Sequence, residues 1–238
     1  MKKISNDALI HHVMAIVGGF LGAYALINRC ENFGSSETSN LIYLFIALLG
    51  GSLKEFALRV IAVLLYALGI FSTIIIQRKT KTDIRFFSIL IDAVCLSLVS
   101  FIPQNVNFII ALYPIFFATA FQWNAFASAD GFSSSTIFST NNLRQTVTGF
   151  TNYWLRKNPK DLQHGAFFGL TLLSFHIGVV IAFFASEFLG YRSAFICFLP
   201  LAIAFGLVVK EYKRSSVYSL SRVESETNIA SELLAEIK

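Results

Sequence analysis

The chain has 238 residues, of which 55% are hydrophobic and only 14% are charged, and its net charge is +5. Soluble globular domains carry about 25% charged residues, so the composition excludes a soluble enzyme domain, a nucleic-acid-binding domain and a disordered protein. The apolar residues form long runs and not alternating stretches of about ten residues, which argues against a transmembrane β-barrel. We therefore expect an all-α polytopic membrane protein whose excess of Lys and Arg lies in cytoplasmic loops.

Six apolar runs are predicted to be membrane spans, because a span needs about 20 mostly apolar residues. They cover residues 13–28, 55–77, 86–102, 108–128, 166–188 and 193–209. Since further spans follow, the first run is expected to be a retained helix and not a cleaved signal peptide. Residues 1–12 and 210–238 are expected to be cytoplasmic ends.

Two further segments, residues 38–52 and 136–155, interrupt this series. The first is apolar but too short to span, and the second is too polar for a helix that faces lipid. A shift of 102 residues places Thr38 on Thr140, Asn40 on Asn142 and Leu41 on Leu143. The same shift aligns the order of the spans, so the sequence predicts two membrane repeats, residues 13–107 and 108–209.

The basic residues favour a topology in which both odd segments enter and leave the membrane on one side. If all eight segments crossed, the most basic loop, residues 77–85, would lie outside. If the two odd segments turn back, only Arg29, Lys54 and Arg192 remain outside, in agreement with the positive-inside rule. The prediction is six transmembrane helices plus two re-entrant half-helices, arranged as two inverted three-helix repeats, with both termini cytoplasmic.

Interrupted segments at matching positions of inverted repeats indicate a transport site. Thr38, Asn40, Thr140 and Asn142 are predicted to lie where the half-helices start, because Thr and Asn cap helix N-termini. Two positive helix ends would then converge near the membrane centre and favour an anion or a carboxylate. The alternative is that these residues cap helices and join them through hydrogen bonds.

Other polar residues within apolar segments belong to the predicted site, because such residues are costly in lipid. Gln122 and Asn124 are predicted to line a cavity, or else to bridge helices. Arg144 is predicted to neutralise an anionic ligand, or else to pair with an aspartate. The residues predicted to couple protons or charge to transport are Asp92, Asp130 and His176, with structural ion pairs and a core histidine as alternatives.

The predicted function is transport of a small anionic or zwitterionic solute. The alternatives are a passive channel lined by the same half-helices and a non-transporting scaffold or accessory protein, whose aromatic side chains would close the cavity. No catalytic motif, zinc spacing or phosphate-binding glycine loop occurs, so no enzyme activity, metal or cofactor is predicted. The expected partners are the lipid bilayer and a small-molecule or ion substrate, without nucleic acid; a homodimer is left open.

Two pairs of motifs resemble a known family. GGFLGAYALIN followed by TSNL, and FQWNAFASADG followed by FSTNNL, are similar to segments of the YoaK family of bacterial multi-pass membrane proteins. The family carries TGN in the first segment, whereas Ser39 and Asn141 replace that glycine here, and Gly22 replaces an acidic residue of its first helix. The resemblance covers residues 13–210 and implies a bacterial inner-membrane location, but it implies no activity.

Overall fold

The computed structural model describes residues 5–29 and 37–214, and most of them are helical. The helices are α1 (Asn6–Asn28), α2 (Glu37–Leu49), α3 (Leu53–Lys79), α4 (Ile84–Phe101), α5 (Phe108–Ala111), α6 (Tyr113–Ala125), α7 (Thr140–Arg156) and α8 (Pro159–Leu189). A 3₁₀ helix, Gly190–Cys197, leads into α9, residues 198–214. The strands of this part of the chain form one antiparallel hairpin, β1 (Ser128–Ala129) and β2 (Phe132–Ser133).

Four helical stretches of the described residues are long and apolar enough to cross a membrane. Three of them, α1, α3 and α4, correspond to predicted spans. The fourth, Pro159–Arg214, contains the last two predicted spans, which the 3₁₀ helix separates. The predictions that the chain is helical and that it carries helices suited to a membrane are therefore confirmed.

The fourth predicted span, residues 108–128, is divided into α5 and α6. Pro114 lies in the first turn of α6, and proline has no N–H to continue a preceding helix. The chain leaves α6 after Ala125 and turns in the hairpin at Asp130 and Gly131, whose φ angles are 51° and 80°. Asp-Gly favours this two-residue turn, because both positions need positive φ.

The basic stretch around Pro159 lies between the predicted segments 136–155 and 166–188, and most of it is helical. It contains a two-residue turn between α7 and α8, formed by Lys157 with a φ of 54° and by Asn158. The Asn158 side chain accepts a hydrogen bond from the backbone of Lys160 at 3.0 Å and so caps α8. Because Pro159 is well suited to the first turn of a helix, α8 begins seven residues before the predicted start at Ala166.

α1 is the central helix. Of the residues in its most apolar 18-residue stretch, 83% are buried inside the protein. α8 crosses it closely at glycines: a Cβ on Gly19 would collide with the carbonyl of Phe175, and a Cβ on Gly178 would collide with that of Ile16. Such small-residue contacts let helices approach closely where lipid supplies no hydrophobic driving force.

Ionic and polar contacts show that α1 and α4 run in the same direction. At the start of both helices, Arg85 donates to Asp7 at 3.0 Å. At their other end, Arg29 donates to the carbonyl oxygens of Ile102 at 2.7 Å and Pro103 at 3.1 Å. We refer to these two faces of the bundle as the Asp7 end and the Arg29 end.

The remaining helices can be placed against these ends. α8 runs parallel to α1, since Thr171 contacts His12 and Ser186 contacts Asn28. α6 begins where Tyr113 donates to the carbonyl of Leu58 in α3 at 3.0 Å, and its later turns pack against Gly69. α3 and α6 therefore run parallel to each other.

Gly178→Ala is expected to lower the free energy of unfolding, although alanine normally favours a helix over glycine by about 1 kcal/mol. The added methyl group would collide with the backbone of Ile16 and push α8 away from α1. Gly206→Ala is the matched control, because a Cβ at Gly206 has no neighbour within 4 Å. Thermal unfolding in detergent would measure both; equal melting temperatures would contradict the close packing.

Candidate functional site

The first predicted asparagine, Asn40, belongs to a polar cluster between α2 and α3. Its side chain donates to the carbonyl of Arg59 at 3.4 Å and accepts from the Arg59 guanidinium at 3.4 Å. Arg59 also donates to Glu55 at 2.7 Å, and Asn40 donates to Glu37 at 3.3 Å. Asn40 is buried and its polar atoms are used to hold α2 on α3, whereas Thr38 is exposed.

The second predicted asparagine, Asn142, holds the extended chain that precedes α7. It accepts from the Ser134 hydroxyl at 2.9 Å, and it donates to the carbonyls of Ser135 at 2.7 Å and Phe138 at 3.1 Å. Asn142 is completely buried. Without its side chain, the Ser134 hydroxyl and the carbonyls of Ser135 and Phe138 would lose these hydrogen bonds in an apolar region.

Gln122 extends the hydrogen bonding of this region to α1. Its amide donates to the carbonyl of Met14 at 2.9 Å and to the Thr136 hydroxyl at 3.0 Å. The extended residues before α7 thus lie between α6 and the middle of α1.

The structure does not join these two clusters. α2 packs on α3 and α7 packs on α8, and the hydrogen bonds of Asn40 and of Asn142 have no partner in common. Thr38 and Thr140 are both exposed. Each cluster matches the alternative in which these residues hold helices together, and neither forms a shared site with the other.

An open groove lies beside the start of α7. Its volume is about 570 Å³, within the range of small-molecule sites. Its walls combine apolar and aromatic side chains with hydroxyl and amide groups: Ile70, Trp123, Asn124, Ala127, Ser133, Ser134, Ser135, Phe138 and Asn141. Among the residues predicted from the sequence, it contains Asn124.

Arg144 is linked to this groove through one of its lining residues. It is exposed, and its guanidinium donates to the side chain of Asn141, a groove residue, at 3.1 Å. Within residues 5–29 and 37–214 it forms no salt bridge. The start of α7 also has no side-chain cap, since Ser139 makes no such hydrogen bond. The Arg144 guanidinium and the positive end of the α7 dipole therefore both lie close to Asn141.

Asp130 and His176 are not among the residues that line the groove. Asp130 accepts from the Ser5 hydroxyl at 2.6 Å, and its N–H donates to Asp7 at 3.1 Å, so it fastens the hairpin to the start of α1. His176 is exposed on α8 and contacts the carbonyl of Leu172, in its own helix, at 2.8 Å.

The sequence did not distinguish several residues that the fold brings into the groove. Trp123, Phe138 and the run Ser133 to Ser135 meet only because the hairpin reverses the chain after α6. The Asp-Gly pair was the one local signal for that turn.

Residues 10–207 match the family described as "Protein of unknown function (DUF1275)". This match covers most of the chain. The chain belongs to the DUF1275 family. No curated protein and no solved structure matches it, so membership of the family carries no activity with it.

Asp92 is the most unusual polar residue of this DUF1275 chain. It is completely buried in α4, and neither carboxyl oxygen has a hydrogen-bond partner among the described residues. The hydroxyl of Ser88, one helical turn away, is also buried without a partner. A polar group that is buried without a hydrogen-bond partner lowers the free energy of unfolding. Asp92 is therefore a candidate for a functional role and not only a packing residue.

Asp92→Val is expected to raise the melting temperature, because it removes an unsatisfied carboxyl group from the core. The gain should be about 1–3 kcal/mol, or upwards of about 2 °C for a chain of this length. Asp83→Val is the control and should lower it, since Asp83 caps α4 and pairs with Arg85 at 2.7 Å. Thermal unfolding in detergent decides; a less stable Asp92→Val protein would mean that the carboxyl group is satisfied.

Proposed function

We propose that this protein is a six-span membrane carrier for a small anionic or zwitterionic solute, which binds in the groove beside α7. The observation that carries the proposal is Arg144, a cation that has no carboxylate partner among residues 5–29 and 37–214 and that donates to Asn141, a residue of a groove with polar and aromatic side chains. Ionisable residues at membrane depth that lack a structural role are candidates for a transport pathway. The bacterial inner-membrane location implied by the YoaK resemblance is part of the proposal.

The depth of Arg144 supports this role. The chain before α7 lies against the middle of α1, where a Cβ on Gly18 would collide with the carbonyl of Thr136. From there α7 runs towards the Asp7 end and packs at Gly149 against Gly165 near the start of α8. Arg144, in the second turn of α7, therefore lies between the middle of the bundle and the Asp7 end.

The ends of the segments support two re-entrant half-helices. α1 ends at Arg29, beside Ile102 and Pro103, and the start of α3 lines a small pocket with Asn107 and Phe108. α1 thus ends, and α3 begins, at the Arg29 end. Likewise, residues 126–159 leave from and return to the Asp7 end, because both the hairpin and the α7–α8 turn lie there.

The burial pattern supports an internal repeat. A shift of 109 residues takes the five buried residues of α3 onto buried residues of α8. The pairs are Arg59 and Phe168, Ala62 and Thr171, Tyr66 and Phe175, Gly69 and Gly178, and Thr73 and Ala182. The half-helices precede these two helices in the same order, and α3 and α8 point in opposite directions, as inverted repeats require.

The topology predicts which loops share a face of the membrane. In a variant whose three native cysteines are replaced by alanine, Ser52→Cys and Asn105→Cys should react with an impermeant maleimide in intact cells. Thr80→Cys and Lys160→Cys should react only after the cells are broken, because the loops with most Lys and Arg are cytoplasmic. If Thr80→Cys and Lys160→Cys react on opposite faces, the half-helices cross the membrane and the six-span arrangement fails.

Transport is tested with purified protein in liposomes and four labelled solutes: acetate, benzoate, phosphate and glycine. We expect saturable uptake of at least one, and Arg144→Gln should slow it about tenfold or more, equivalent to about 1.4 kcal/mol of lost interaction. Arg144→Lys should retain part of the rate. Arg156→Gln is the matched control, because Arg156 is exposed in the last turn of the same helix.

A non-transporting scaffold is the second candidate, and the packing of the core favours it. α1 fills the centre of the bundle, and no residue of α2 lines the groove beside α7. Uptake no faster than in empty liposomes for all four solutes would replace the carrier with this scaffold. Uptake that never saturates would instead indicate a channel.

A further inference from the structure

We propose that the groove beside α7 selects a water-soluble aromatic carboxylate, and not an inorganic anion or an aliphatic acid. This inference rests on the proposed function and defines the class of its substrate. It depends on how the charged, polar and aromatic groups are distributed around the groove.

The groove has an aromatic wall. The rings of Trp123 and Phe138 meet edge to face, with centroids 5.2 Å apart and an angle of 83° between their planes. Trp123 is 38% exposed and so offers ring surface to a ligand. Ile70 and Ala127 extend the apolar surface. An inorganic anion would leave this wall in contact with water, whereas an aromatic ring would cover it in an edge-to-face or offset arrangement.

The groove also supplies hydrogen-bond donors. Within the described residues, the hydroxyl of Ser133 and the amide nitrogen of Asn141 have no protein partner, whereas Ser134 and Ser135 are used by the protein. The Asn141 oxygen is occupied by Arg144 at 3.1 Å. Free donors and a guanidinium favour a carboxylate, since charge-assisted hydrogen bonds to such a group are the strong ones.

The size of the groove agrees with an organic ligand. Its 570 Å³ is more than a phosphate or an acetate fills and lies within the range of small-molecule sites. Because Arg144 donates to the groove residue Asn141 and the rings of Trp123 and Phe138 line the groove, a carboxylate attached directly to a ring suits both kinds of group. A long aliphatic acid from the membrane would contact the cation but would match the rings less well.

Binding can be measured by the fluorescence of Trp123. The chain has two tryptophans, so Trp154→Phe leaves Trp123 as the only reporter in the full-length protein in detergent. We would titrate it at constant ionic strength with benzoate, acetate, phosphate, octanoate and benzyl alcohol. A saturable change is expected with benzoate, and the other four should bind at least about tenfold more weakly, because each lacks the ring, the carboxylate or both.

The charge requirement is tested in the same background. Arg144→Gln should weaken benzoate binding about tenfold or more without changing the affinity for benzyl alcohol, and Arg144→Lys should restore part of it. Arg156→Gln should behave as the parent protein. Gel filtration and thermal unfolding would show that each variant is folded, and a benzoate-dependent rise in melting temperature provides a second readout.

Three results would overturn the inference. They are phosphate or acetate binding as tightly as benzoate, octanoate binding as tightly as benzoate, and benzoate causing no saturable change in either fluorescence or melting temperature. Octanoate binding would assign the groove to a membrane fatty acid. Benzoate binding without uptake would preserve this site and remove the carrier function, whereas saturable uptake of phosphate without benzoate binding would do the reverse.

Discussion

The arrangement of the second half of the chain depends on one constraint: non-helical backbone at membrane depth must find its hydrogen bonds within the protein. Residues 134–139 are not helical, yet they lie beside the middle of α1. Side chains provide hydrogen bonds to the backbone of this stretch. Ser135 accepts from the N–H groups of Ile137 and Phe138, each at 3.2 Å, and Asn142 donates to the carbonyls of Ser135 and Phe138. Gly18 provides the space, because any side chain there would collide with Thr136.

The helices proposed as half-helices, α2 and α7, are held in place by different contacts. α2 is largely apolar and is held by Arg59, Glu55 and Asn40, whose hydrogen bonds are directed to one another. α7 is polar, and its start borders an open groove. If the halves arose by duplication, the first has become a packing element and the second has kept access to a ligand. Under that proposal, the solute site would be asymmetric even if the surrounding helices were related by a repeat.

The sequence predicted the long helices well, because hydropathy directly measures which segments lipid can surround. It also located both unusual segments, since polar residues such as Asn40 and Asn142 stand out in an apolar chain. It did not predict how far apart those asparagines lie, because their separation depends on packing between helices that are distant in sequence. Likewise, hydropathy placed the start of α8 at Ala166, although Asn158 and Pro159 are ordinary signals for the start of a helix.

The length of α8 has a consequence for how the protein sits in a membrane. Its 31 residues extend about 46 Å, whereas the hydrocarbon core of a bilayer is about 30 Å thick. Ser186 lies level with Asn28 at the Arg29 end, so the excess length projects at the Asp7 end, where Lys157 and Lys160 form a cationic tip. Next to an anionic leaflet, each of these cations would gain about 1 kcal/mol. The surface potential of that leaflet, together with hydrophobic thickness, would then set the depth at which the groove opens.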